Sequence, residues 1–197
     1  MYQKYQADAL VLGSRESGEN DRVFVLFTRQ FGLVRARASA VRTERSRMRY
    51  ALQNYTRANA ALVRGKSGWR MAGASAIKNA HGNRQGVAAF ARISELTIRL
   101  VHGEEKNDYL FAVLAEAHDA LMSAQGRSAL GEQDIFGTIE IVCVARVLFA
   151  LGYLSAEALE TALFTHTAYA GEYLLEAEII RDKLLSSINR AIEETQL

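Results

Sequence analysis

Proline is absent from all 197 residues, an unusual feature for which we have no physical account, and cysteine occurs once, at Cys143. A lone cysteine excludes an internal disulfide and any multi-cysteine metal site. The four histidines, His81, His102, His118 and His166, stand apart, with no His-x-x-x-His or Cys-His spacing. His102 and His118 could meet across neighbouring helices, but a metal site there would still lack thiolates and placed carboxylates. Long apolar runs are missing too. The most apolar segment, Ile135 to Leu154, contains Glu140 and Arg146, so it falls short of the ~20 uninterrupted apolar residues that a membrane helix needs. Lys4 and Asp8 interrupt any apolar run at the start, which argues against a signal peptide. The expectation is a soluble, cytoplasmic protein without a membrane partner.

Catalytic constellations are equally scarce. Gly65-Lys66-Ser67 imitates the end of a phosphate-binding loop, but the glycine required five positions earlier is Ala60. A strand follows it instead of a helix, so a nucleotide site is rejected. Glu104, Glu105 and Asp108 form an acidic patch, yet adjacent helix-end residues diverge around the axis and read as solvated. Cys143 lies in the middle of an apolar helix and reads as a small core residue. With no nucleophile–base pair, metal set or phosphate loop, an enzyme is not expected, nor any cofactor.

What the chain does have is a charge asymmetry hidden by its net +2. Residues 1–80 carry 15 Lys+Arg against 5 Asp+Glu, a net of +10, and residues 81–197 carry a net of −8. A basic module joined to an acidic one follows. The densest stretch, Leu33 to Tyr50, holds Arg35, Arg37, Arg42, Arg45, Arg47 and Arg49 against one acid, Glu44. Its first half alternates, with Val34, Ala36 and Ala38 on one side of an extended chain and Arg35 and Arg37 on the other. Its second half reads as an arginine-dense loop. Solvated surface arginines are ordinary, but an uncompensated cluster repels itself, which favours a polyanion partner.

The first half reads as five strands: Ala9 to Leu12, Val23 to Thr28, Leu33 to Ser39, Gln53 to Val63, and Trp69 to Ile77. Polar Glu16 to Arg22 turns between the first two. Gln30-Phe31-Gly32 makes the next tight connection, and Gly65 to Gly68 makes the last hairpin. Five short strands within about 75 residues suggest a small closed barrel of the OB type. Trp69 and Tyr55 could stack on bases as barrel aromatics do in single-strand binders, or pack the barrel. For Tyr55 the two readings balance. For Trp69, beside a turn and between Lys66 and Arg70, the balance leans towards exposure.

From Gln85 the period changes to 3.6. Ile93, Leu96, Leu100 and Val101 form one stripe, and Leu110, Phe111, Leu114, His118, Leu121 and Met122 the next. Asn107-Asp108 caps that second helix, and Gly126 ends it. Ile135 to Leu151 is apolar nearly all round and reads as the central helix, stopped by Gly152. Ser155 caps a short helix to Leu163. A last helix over about Glu172 to Ile192 turns Leu175, Ile179, Leu184 and Ile188 inward. The expected architecture is α+β: an N-terminal five-stranded OB-like barrel over residues 1–80 and an α-helical bundle over 81–197, with loop composition at His81-Gly82-Asn83.

Several phrases in this order resemble the RecO family of recombination mediators. Ala9-Leu10-Val11-Leu12, Gly18-Glu19-Asn20-Asp21-Arg22, Leu26-Phe27-Thr28 and Phe31-Gly32 look like its opening strands. Ser46-Arg47 through Ala51-Leu52-Gln53 resembles its basic loop and the strand behind it. Ser94-Glu95-Leu96 and Asn107 to Phe111 resemble its first bundle helices, and Arg146 to Leu154 its long helix and exit. The resemblance implies an OB domain, a helical domain, and binding of single- and double-stranded DNA. It also implies annealing of complementary strands and loading of a recombinase, with RecR and the C-terminal tail of single-strand binding protein as partners. Many members carry a four-cysteine zinc site after the Gly-Tyr exit. This chain has no cysteine there, so no zinc is expected.

The resulting expectation is a non-catalytic DNA repair and recombination mediator of the cytoplasm and nucleoid. Arg35, Arg37, Arg42, Arg45, Arg47 and Arg49 neutralise phosphates in this reading. Arg22, Arg64, Lys66 and Arg70 extend the track, and Tyr55 and Trp69 offer stacking surfaces. Two rivals stand beside it. One is an RNA-binding OB protein, distinguished by the 2′-hydroxyl. The other is a scaffold binding an acidic protein, distinguished by a complex that survives nuclease.

Overall fold

The computed structural model describes residues 3–43, 46–80, 84–124 and 134–195. They fall into two compact units, Met1–His81 with Val101–Phe111, and Gly82–Leu100 with Ala112–Leu197.

The first unit is a closed barrel in the order β1-β2-β3-β5-β4, so the expected five-stranded OB-type closure is present. Its strands are β1 (Lys4–Ser17), β2 (Asp21–Thr28), β3 (Gly32–Ala38), β4 (Arg57–Gly65) and β5 (Gly68–Lys78), with a short helix α1 (Met48–Ala51) between β3 and β4. All pairings are antiparallel except β3 with β5. Alternation drives the closure: Val34, Ala36 and Ala38 are buried while Arg35 and Arg37 are exposed, because successive side chains on a pleated strand point to opposite faces. Ala7, Ala9, Val11, Phe24, Leu26, Ala60, Leu62, Trp69 and Met71 complete the interior. Small residues dominate the narrow inside, as a five-strand circumference requires.

β1 is much longer than the apolar run Ala9 to Leu12 that marks it. Its register with β2 shifts between Val11 and Gly13, a bulge that bends a long strand around the barrel. The opposite side of the sheet is covered in places: Leu10, Leu12, Phe27 and Leu33 are buried, and Phe27 stacks on Phe111 at 6.3 Å. α1 is absent from the sequence reading, which has a loop here. It is one turn long and not amphipathic over a measurable stretch, so periodicity could not find it.

In the second unit, α2 (Arg84–Leu100), α6 (Gly171–Ile179) and α7 (Arg181–Glu194) pack around α4 (Ile135–Ala150). The rest of this unit comprises the larger part of α3 (Asp108–Ser123) and a single turn, α5 (Ala156–Leu159). α4 is buried on nearly every side, from Phe136 and Ile139 to Val147 and Leu148. The Asp134 side chain accepts from the Phe136 N–H at its start. At its end Gly152, at φ 82°, lets the Tyr153 N–H reach the Leu148 carbonyl at 2.8 Å, a left-handed stop that favours glycine. Asn107 caps α3 through the Leu110 N–H at 2.8 Å. Gly126, expected to end α3, lies outside the described residues.

Two expectations change here. The helix expected over Ser155 to Leu163 is the four-residue α5, ended by Glu160 at φ 52°. The last helix is two helices, broken at Ile180. That break resets the helical phase, so Leu174 and Ala177 are buried while Leu175 and Ile179 are 40% and 83% exposed. Leu184 and Ile188 do face inward.

Candidate nucleic-acid interface

The strand registers assemble a row of outward-facing positions around the barrel. Arg15 pairs with Val23, Val23 with Arg37, and Arg37 with Arg70 across the parallel β3–β5 contact. Arg70 then pairs with Val63, and Val63 with Lys4. Paired residues share a face, so Arg15, Arg37, Arg70 and Lys4 form one exposed ring of cations. Arg35 projects the same way two positions along β3, opposite Val25. The hairpin Gly65–Gly68 brings Lys66 beside this ring. Arg37, Lys66 and Arg70, with Ser67 and Val63, line a groove of about 310 Å³.

A second cluster gathers the loop arginines. Arg22, Arg42 and Arg49 surround a pocket of about 230 Å³ floored by Phe24, Val41 and Leu52. α1 carries Arg49, whose guanidinium sits 5.1 Å over the Tyr50 ring and donates to its hydroxyl at 3.1 Å. Arg47 is exposed at the N-terminus of α1. Arg45 lies outside the described residues.

Carboxylates neutralise some of these cations. Asp21 takes Arg37 at 2.7 Å, and Glu16 takes Arg42 at 3.2 Å and Arg22 at 3.7 Å. Glu104 takes Arg64 at 3.3 Å. Among the described residues, Arg35, Arg47, Lys66 and Arg70 have no carboxylate within ion-pair distance. The Asp21 carboxyl is held below its ordinary range, first by the Ala40 N–H and then by Arg37. The row of cations is thus interrupted by Val23 and Val63 and only partly free of carboxylates.

Trp69 corrects the sequence reading. It is 4% exposed, opposite Ala36 on the inward face, with Phe31 at 5.0 Å and Tyr5 at 5.7 Å. Counting by two from exposed Arg70 turns it inward, whatever its nearness to the hairpin. Arg64 caps its ring at 5.3 Å. Tyr55 is half-buried at φ 66°, its N–H bound to the Val11 carbonyl at 2.7 Å. Three surface residues went unread in the sequence: Arg15, Lys4 and Tyr50, the last 60% exposed. Pairing β1 against β2 across the Gly18–Asn20 turn would have found Arg15, since hairpin register follows from the turn.

Among the described residues no group of three His, Cys, Asp or Glu side chains could hold a metal ion, and no helix is long and apolar enough to cross a membrane. Fold and surface together define an OB-type barrel with a cationic outer ring, followed by helices. Residues 1–80 match the family described as Recombination protein O N terminal. Over this region the chain is similar to that family. It is 49% identical over 63 residues to the DNA repair protein RecO of Desulfitobacterium hafniense, 32% of this chain and 23% of that protein. It is 32% identical over 116 residues to that of Myxococcus xanthus, covering 57% and 48%. With that of Anaeromyxobacter it shares 32% identity over 133 residues, covering 64% and 52%. The chain therefore spans about a quarter to a half of the length of the curated relatives it matches.

Proposed function

We propose that this chain acts in DNA repair and recombination as a non-catalytic mediator, binding single- and double-stranded DNA and annealing complementary strands. The observation that carries the reading is the outward ring of Arg15, Arg37, Arg70 and Lys4, flanked by Arg35 and Lys66. A ring of guanidinium and ammonium groups lowers the repulsion between two phosphate backbones and leaves their bases free to search for partners. Backbone contacts carry no direct base information, so sequence preference is slight. Arg42, Arg45, Arg47 and Arg49 extend the surface in this reading, and Arg22 and Arg64 flank it. Tyr55 contributes at most a ring edge, and the buried Trp69 shapes the groove from below. Likeness to proteins named DNA repair protein RecO supports the repair role. Assistance to recombinase loading, a RecR-like partner, contact with the tail of single-strand binding protein, and a place in the cytoplasm at the nucleoid belong to the same proposal.

The test compares two variants: Arg15, Arg37 and Arg70 changed to Ala, and Arg42, Arg45, Arg47 and Arg49 changed to Ala. Each lost phosphate contact makes the log–log salt slope on single strands shallower by about 0.7, so the first variant, whose Arg37 is already engaged by Asp21, should lose about 1.4 units of slope. Parental slopes in both variants would remove the barrel surface as the binding site. Annealing of bare and protein-coated strands, with matched RNA as competitor, then separates a mediator from an RNA binder.

A further inference from the structure

The pocket among Arg22, Arg42 and Arg49 is separate from the ring and differs from it in shape and charge. Its floor is sealed by Phe24, Val41 and Leu52, each at most 2% exposed. Two of its guanidinium groups share one carboxylate, Glu16, which lies 3.2 Å from Arg42 and 3.7 Å from Arg22, while Arg49 is held by Tyr50. The Arg22 Nε is buried with no hydrogen-bond partner among the described residues. A donor buried without an acceptor is unfavourable, which favours the Arg22 guanidinium turning towards an anion in the pocket.

Resting on the nucleic-acid reading above, we infer that this pocket holds the terminal phosphomonoester of a strand end. Among the described residues, three arginines against Glu16 leave a local excess of two positive charges, which matches a dianion: a phosphomonoester carries about −1.5 to −2 at pH 7 where an internal diester carries one charge. An internal phosphate reaches the pocket only from a strand lying across its mouth, whereas a terminal phosphate can point down among the three guanidinium groups to the apolar floor. Arginine guanidinium groups suit this ligand because they meet phosphate oxygens with paired donors. Tyr50, exposed and fixed by Arg49, lies beside the rim, where an aromatic face can take the terminal base.

The experiment uses the full chain and one oligonucleotide sequence in four forms: hydroxyl at both ends, phosphate at the 5′ end, phosphate at the 3′ end, and a closed circle. One of the two phosphorylated forms should bind about tenfold more tightly than the hydroxyl form, the size of one charge-assisted hydrogen bond. That ratio should shrink below pH 6, where the monoester loses its second charge. It should vanish in Arg42→Gln and in Arg49→Gln, whatever their overall affinity. Equal binding of all four forms overturns the inference and leaves the DNA-binding reading standing. A preference that persists in both variants places the phosphate elsewhere and overturns it too. If no form binds, the proposed function itself fails.

Discussion

Arg37 donates from Nη2 and Nε to the same oxygen of Asp21, at 2.7 and 2.9 Å, while the other oxygen accepts the Ala40 N–H at 2.8 Å. Asp21 therefore secures the end of β3 and at the same time occupies a cation of the outer ring. These two roles oppose each other. Asp21→Asn keeps an acceptor for Ala40 but releases the guanidinium. Single-strand affinity should rise and the salt slope steepen by about 0.7, the share of one recovered phosphate contact. An affinity at or below the parental value would mean that Arg37 takes no part in binding.

The same carboxylate gives a pH dependence of definite sign. Asp21 is held below its usual range by the Ala40 N–H and by Arg37. A folded-state value below the unfolded one stabilises the fold at neutral pH, and the contribution is lost as pH falls through the folded value. The barrel should therefore melt progressively lower on acidification below about pH 4, and Asp21→Asn should flatten that acid limb. Trp69, the sole tryptophan, sits in the barrel interior, so its fluorescence follows this unit. Superimposable acid limbs in parent and variant would take Asp21 out of the account.

Gly32 tests how tightly residues 101–111 are held within the first unit. At φ 61° it already favours glycine, and an added Cβ would fall 2.1 Å from the Glu105 carbonyl oxygen. The three nearest atoms all belong to the Glu105 backbone and cannot swing away. Gly32→Ala should destabilise the barrel by about 2–4 kcal/mol, combining left-handed strain with overpacking. Gly18, at φ 74° with open space around it, provides the control, and its alanine variant should lose only about 1 kcal/mol. Urea midpoints read from Trp69 check both. Equal losses would leave the Glu105 contact without energetic weight.

The contrast between these glycines shows what the chain discloses on its own. Strand alternation placed Arg35 and Arg37 outside and Val34, Ala36 and Ala38 inside, because period 2 is written in neighbouring residues. The closed five-stranded barrel was legible from strand count and turn chemistry, but not its strand order. Arg15 was missed because its place beside Arg37 and Arg70 emerges only when the β1–β2 hairpin register is carried on across β3 and β5. Trp69 was misjudged by proximity to a turn, although its own alternation with Arg70 pointed inward. Leu175 and Ile179 were read as inward since a helical period was carried through Ile180, where the chain breaks phase. Long-range pairings such as Arg22 and Arg42 on Glu16 exist only once the barrel closes.

Cys143 offers a probe of the second unit. It is wholly buried, and burial pushes its thiol up to about 12. The thiolate is the reactive form, so neither access nor ionisation favours attack in the native state. A thiol reagent at pH 8 should leave native protein unmodified over hours and label it within minutes in denaturant. The native labelling rate should track the opening of α4 and its neighbours. Rapid labelling of native protein would show that α4 is exposed far more often than its packing allows.

Arg146 decides how the segment after α5 is held. It is fully buried, yet no carboxylate faces it among the described residues. Its Nε donates to the Leu163 carbonyl at 2.8 Å, and one terminal nitrogen donates to the carbonyls of Thr167 and Ala168, both at 2.9 Å. The guanidinium also lies 4.8 Å over the Tyr169 ring. Arg146→Met removes a desolvated charge, which alone would stabilise, but it leaves three carbonyls without their donor. Each orphaned acceptor costs about 1–3 kcal/mol, so the loss should win by about 3 kcal/mol or more. Arg146→Lys should not rescue it, because a single ammonium cannot span acceptors that a planar fork reaches from two nitrogens. Faster labelling of Cys143 in both variants, with protease cleavage between residues 160 and 170, is the expected result. Parental labelling and protease resistance in the methionine variant would mean that the packing of Leu163 and Phe164 holds the segment without the arginine.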